Sequence, residues 1–138
     1  MKPVKPAKPA THPDSITASI GREAENLACC YLQEQGLQLL ERNYRCKQGE
    51  IDLVMRDTTS IVFVEVRYRR NNRFGSGAES VNLQKQTKLT ATALHYLQSN
   101  KAAAKSPARF DVISVTVASS PGSSAAIQWI KNAFNASF

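Results

Sequence analysis

Glu50, Asp52, Glu65 and Arg67 lie within one short stretch, Gly49 to Arg70, which reads GEIDLVMRDTTSIVFVEVRYRR. Carboxylates gathered at one point form the oxygen-only ligand set that suits Mg²⁺ or Mn²⁺. Whether they gather depends on how the stretch folds. Both arms are rich in Ile, Val, Leu and Phe, and the polar cluster Asp57-Thr58-Thr59-Ser60 divides them, the pattern of a β-hairpin. A symmetric four-residue loop pairs residues whose numbers sum to 117. Asp52 then falls opposite Glu65, and Glu50 opposite Arg67. Alternation along each strand puts Ile51, Leu53, Met55, Val62, Val64 and Val66 on one face and the charged residues on the other. Like charges directly opposite on a ladder are destabilising. A bound cation removes that penalty. In the alternative reading Arg67 and Glu50 neutralise the acids in a surface network and nothing binds. A one-residue slip of register would also separate the pair.

Two helices must flank this hairpin to build a site on it. Ile16–Gln35 has an apolar stripe of Ala24, Leu27, Ala28, Tyr31 and Leu32, and Gly36 follows as its stop. On a helical wheel Glu25 points within about 20° of Leu32 and about 60° from Ala28. It therefore belongs to the buried stripe, where an acid is costly without a partner. That partner is either a basic residue of the sheet or the hairpin site itself. Glu23 lies well off that direction. Ser80–Asn100 reads as the second long helix, with Leu89, Ala93, Tyr96 and Leu97 buried. Lys85 points only about 40° from Leu89, while Lys88 sits about 100° off, at the stripe's edge. An inward lysine at a helix head, where the macrodipole is positive, implies a nearby anion. The alternative is a stem packed on the core with its ammonium in water. Gln84 and Gln86 are polar neighbours within reach of a substrate. His95 lies about 120° from Leu89 and reads as solvated.

The connections carry most of the remaining basic residues. Leu37–Glu41 reads as a short strand and Asn43–Gly49 as a polar loop. Arg42, Arg45 and Lys47 there can contact phosphates or simply be solvated. Tyr68–Gly77, YRRNNRFGSG, combines Arg69, Arg70 and Arg73 with two aromatics and two glycines, the composition of a nucleic-acid contact, with a plain surface loop as the alternative. Lys101–Ala108 reads as a mobile linker. Arg109–Val117 is a β-branched strand whose Asp111 reads as structural, and Ile127–Lys131 is a short last strand. Trp129 and Phe134 are expected to close the edge of the core.

The chain has 138 residues, the size of one domain, and its 42% hydrophobic content is enough for a core. Its formal charge of +7 and pI of about 9.6 favour a polyanionic partner. Three cysteines, two of them adjacent, make neither a disulfide framework nor a CxxC pair and read as reduced thiols of a cytoplasmic protein. No apolar run approaches the roughly 20 residues that span a bilayer, and the N-terminus lacks the apolar core of a signal peptide. Residues 1–15 hold four of the six prolines and read as a disordered basic tail, leaving 16–138 as the folded domain. No P-loop, dinucleotide fingerprint, HExxH or GxSxG motif occurs.

The expected order is therefore αβββαββ: an α/β fold with a mixed sheet, since a long helix separates the third and fourth strands and permits parallel pairing. Glu25, Asp52, Glu65 and Glu50 converge near one edge, a donor set for metal-assisted phosphodiester hydrolysis. Gly21-Arg22-Glu23-Ala24-Glu25, Gly49-Glu50-Ile51-Asp52-Leu53 and Phe63-Val64-Glu65-Val66-Arg67 together resemble the restriction-endonuclease-like PD-(D/E)xK superfamily. Within it the chain resembles the YraN family of predicted endonucleases and, more distantly, archaeal Holliday-junction resolvases. Asn43-Tyr44, Phe74-Gly75, Lys85-Gln86-Thr87-Lys88-Leu89, Arg109-Phe110-Asp111-Val112 and Trp129-Ile130-Lys131 extend the resemblance over most of the chain. It implies a three-layer restriction-endonuclease-like core and a Mg²⁺- or Mn²⁺-dependent endonuclease cutting DNA, including branched DNA. Glu25, Asp52 and Glu65 would be the metal ligands. By analogy with the resolvases, a homodimer is expected, with DNA and not a membrane as partner. Arg67 stands where the superfamily has its catalytic lysine. Arginine stays protonated and cannot act as a base, though it can orient water or stabilise charge on a phosphate. Lys85, aimed inward from the second helix, is a candidate for the missing amine. Arg45, Arg69, Arg70, Arg73 and Lys88 are the candidate phosphate contacts.

Overall fold

The computed structural model describes residues 13–69, 81–116 and 126–135. The elements run α1 (Pro13–Glu34), β1 (Gln38–Cys46), β2 (Gly49–Asp57), β3 (Ser60–Arg69), α2 (Leu83–Ser99), α3 (Lys101–Ala104), β4 (Ala108–Thr116) and β5 (Ala126–Phe134). The strands form one sheet in the order β1-β2-β3-β4-β5. Among the described strands only β3 and β4 pair in parallel, and α2 with α3 supplies the crossover that parallel pairing demands. The fold is α/β, a five-stranded mixed sheet with helices on both faces, consistent with a restriction-endonuclease-like core.

Each face of the sheet has its own core. α1 buries Ala24, Ala28 and Leu32 against Leu53, Met55, Val62, Val64, Ile113 and Val115. α2 buries Leu89, Ala93, Tyr96 and Leu97 against Ile51, Val54, Ile61, Phe63, Phe110 and Val112. The central strands are thus apolar on both sides. Phe63 lies under Tyr96 with ring centroids 5.8 Å apart, and Phe110 stacks on Phe134 at 4.6 Å. Full burial of one such side chain contributes about 1.5–3 kcal/mol.

Asp111 is the structural residue its position implies. Its buried carboxylate accepts from Arg109 Nε at 3.0 Å, Trp129 Nε1 at 2.9 Å and the Asn132 amide at 2.9 Å. Arg109 Nη2 also donates to Asp57 at 2.8 Å. Burial works against the Arg109 charge, but these hydrogen bonds outweigh it and raise its pKa. The network ties β5 and the β2 end to β4.

Several boundaries differ from the sequence reading. α1 begins at Pro13, with proline at the first helical position it tolerates. α2 begins at Leu83, and Asn82 caps it by accepting from the Lys85 amide at 2.8 Å. β1 continues through Cys46, so the expected loop shrinks to a turn at Lys47-Gln48. The presumed mobile linker contains α3, held by the buried Ala103. β5 is nine residues long. Residues 1–12, and with them nearly all of the expected tail, lie outside the described residues, as does most of the loop after β3. No described helix is long and apolar enough to cross a membrane.

Candidate active site at the open end of the hairpin

β2 and β3 pair in the expected register: Asp57 with Ser60, Arg56 with Ile61, Val54 with Phe63, Leu53 with Val64. The apolar alternation and the turn suffice to dictate that much. The pairing then stops one step before Asp52 and Glu65, so the two acids are not a ladder pair. Instead the Asp52 carboxylate enters the opening and accepts from the Val66 amide at 2.8 Å. On the other side of β2, Arg42 pairs with Leu53 and Tyr44 with Ile51, and Asn43, with φ of 53°, lies between them. The faces of β2 exchange here. Ile51 packs under α2 while Leu53, two residues on, packs under α1. Strict alternation would have put both on one face. Glu50 does not meet Arg67 either; its partner is Arg45 on β1, Nε to Oε2 at 3.1 Å.

The irregularity brings the acids within electrostatic reach of one another. Burial, then the neighbouring Glu65 charge, push the Asp52 carboxyl up to about 7. The Val66 amide pulls the other way, and Glu25 and Glu50 add smaller upward contributions. Glu25, half-buried on α1, is raised mainly by burial, with Arg42 opposing. Turned to donate, the Asn43 amide bridges two of the acids, at 2.7 Å from Glu25 Oε1 and 3.1 Å from Glu50 Oε1. Among the described residues no three His, Cys, Asp or Glu side chains close on a single point as a finished metal cage would.

Lys85 comes to the same place from the other side. Its Nζ lies 2.6 Å from Glu65 Oε1, and Arg67 Nε approaches that oxygen at 3.8 Å. The nearby anion that an inward lysine at a helix head implies is thus Glu65. Gly49 permits the approach of α2: a Cβ there would meet Thr92 Oγ1 at 3.0 Å, and its φ of 155° disfavours other residues. A cavity of about 330 Å³ opens beside Lys85, lined by Gly49, Glu50, Asn82, Gln84, Lys85, Lys88 and Leu89.

The candidate phosphate contacts divide. Lys88 lines that cavity, and Arg45 is exposed on β1 beside Glu50. Arg69 ends β3. Arg70 and Arg73 lie outside the described residues. Gln86 is turned inward to the Val81 carbonyl at 2.8 Å. His95 is exposed, as expected, and is hydrogen-bonded through Nδ1 to the Tyr44 hydroxyl. The Asn43-Tyr44 motif alone gives Asn43 no role. Asparagine's tolerance of positive φ is the signal that could have singled it out.

Residues 24–115 match the sequence profile of the uncharacterised protein family UPF0102. The chain belongs to this family. A UPF0102 protein of Nitrosococcus oceani is 50% identical over 127 residues, covering 92% of this chain and 96% of that protein. One from Pseudomonas syringae pv. syringae is 51% identical over 121 residues, 88% and 97% of the two chains. One from Coxiella burnetii is 45% identical over 124 residues, 90% and 98%. UPF0102 is the family that the sequence motifs resemble, and the names of these relatives state no activity.

Proposed function

We propose that this UPF0102 protein is a divalent-metal-dependent endonuclease acting on DNA, branched DNA included. The observation that carries the reading is the Asp52 carboxyl, raised to about 7 beside Glu65 at the point where the hairpin ladder opens. A carboxylate held at such a pKa by burial and a second acid is a group that a hard cation would relieve. Asp52 and Glu65 would hold Mg²⁺ or Mn²⁺, with Glu25 as the further carboxylate. When bound, the metal supplies Lewis acidity toward a phosphate and a nucleophile from water. The Arg67 guanidinium sets positive charge against the phosphate oxygens. Lys85 supplies the amine that Arg67 replaces in the motif. Lys88, Arg45 and Arg69 hold the flanking backbone.

A second reading is favoured by two specific observations: Lys85 already neutralises Glu65, and the described acids form no three-ligand cage. In that reading the fold binds DNA and does not cut it. Incubation of labelled single-stranded, duplex, flap and four-way-junction DNA with Mn²⁺ or Mg²⁺ separates the two. The nuclease reading expects cutting that disappears with EDTA and in Asp52→Ala. Tight, salt-sensitive binding without any cutting would establish the second reading instead.

A further inference from the structure

Lys85 belongs to two places at once. Its ammonium sits on Glu65 Oε1, while Lys85 also lines the 330 Å³ cavity next door. The Glu65 side chain is 10% exposed and that of Lys85 42%, so the lysine is the partner with room to move. The cavity holds Lys85, Lys88 and one acid, Glu50, which Arg45 already neutralises. It is thus an electropositive hollow many times the volume of a water molecule, about 30 Å³. Gly49 and Leu89 contribute no charge to it.

We propose that Lys85 is a counter-ion shared between Glu65 and this cavity, so that a divalent cation and a DNA backbone phosphate bind cooperatively. This rests on the nuclease reading, since it takes Glu65 as a cation ligand. A cation and an ammonium cannot both occupy Glu65 Oε1, because they repel each other and use the same lone pairs. When the cation takes Glu65, the flexible four-carbon stem carries the ammonium into the cavity, beside Lys88. There two lysines face one phosphate. In the other direction, a phosphate in the cavity draws Lys85 off Glu65 and frees the carboxylate. Linkage makes the two effects equal. Without either ligand, the ion pair keeps Glu65 neutralised and the site closed to stray cations.

Mn²⁺ affinity of the intact chain without DNA, read from the electron paramagnetic resonance of the free ion, tests the first half. Lys85→Met is expected to bind Mn²⁺ roughly tenfold more tightly than wild type, since it removes the competing charge. Lys85→Arg and Lys88→Met should each stay within about threefold of wild type; the first keeps a competitor, and the second removes a charge that does not touch Glu65. The second half is read by fluorescence anisotropy of a labelled duplex under conditions where a gel shows no cutting. Mn²⁺ should tighten binding by wild type roughly tenfold, and the gain should shrink below about threefold in Lys85→Met. Circular dichroism checks folding, and Lys85→Gln replaces the methionine variant if that one is unfolded. Mn²⁺ binding that is unchanged or weaker in the neutral variant overturns the shared counter-ion but leaves the nuclease reading standing. So does a Mn²⁺ gain in DNA affinity that is absent from wild type or persists in full without Lys85. Failure of both wild type and variant to bind Mn²⁺ removes the nuclease reading, and the inference with it.

Discussion

At Asp52 the residue, its backbone and its charge are all out of the ordinary. Its carboxyl titrates near 7 because burial and Glu65 both disfavour the ion. Below about pH 4, near the unperturbed value, it is protonated folded or unfolded and costs nothing. As pH rises from there to about 7, the unfolded chain gives up this proton while the folded chain keeps it. The folded state therefore loses stability over that window, and above it the loss is complete. Asp52→Asn, which retains an acceptor for the Val66 amide, is expected to lack this loss. Its melting temperature should match wild type near pH 4 and exceed it at pH 8 by roughly 5 °C or more. Parallel thermal melts across that range check it; a constant difference at all pH values would mean the carboxyl is not raised. The inward direction of Glu25 and Lys85 was readable in the sequence, because helical periodicity fixes direction once a stripe is recognised. The hydrogen bond from Val66 to Asp52 was not. It depends on where the β2–β3 ladder stops, and periodicity carries no information about that.

The secondary elements show the same division. The β2–β3 register followed from a four-residue turn between two apolar arms, and it is the register found. The sequence reads as a strand only to Glu41, since the residues beyond are polar and basic. They form a strand because β2 offers them a ladder, a tertiary demand that outweighs local preference. Ile51 was assigned to the face of Leu53, and the irregular backbone around Asn43 and Asp52 reverses it. α3 escaped notice because four residues give no periodicity to read. The placement of α2 has a consequence of its own. A Cβ at Gly49 would meet Thr92 Oγ1 of α2 at 3.0 Å, so Gly49→Ala should press on the helix and destabilise the fold by about 1–3 kcal/mol. Urea unfolding of Gly49→Ala beside wild type measures it.

For the whole molecule the governing quantity is its +7 charge. If Arg45, Arg69, Lys85 and Lys88 are the cations that meet DNA, the log of affinity should fall against the log of salt with a slope of about −3 to −4 on duplex. Anisotropy titrations at several salt concentrations give that slope directly. A slope near zero would remove DNA as the partner. Charge and composition pointed to a polyanion from the start, but nothing in them says which one, or whether it is cut.

The sheet's two borders have a further consequence. β1 is irregular between Leu39 and Glu41 and carries Asn43 at positive φ; β5 carries Asn132 at φ of 51°, followed across the ladder by a second irregularity at Phe110/Val112. Charged Glu41, Arg42, Arg45 and Lys131 sit along these same two strands. A flat, uncharged outer strand is a template on which another chain can add itself and begin an aggregate. These outer strands are bent and charged, so they make poor templates. Strand-by-strand addition at these two described edges is therefore disfavoured, and the apolar central strands stay covered by the helices.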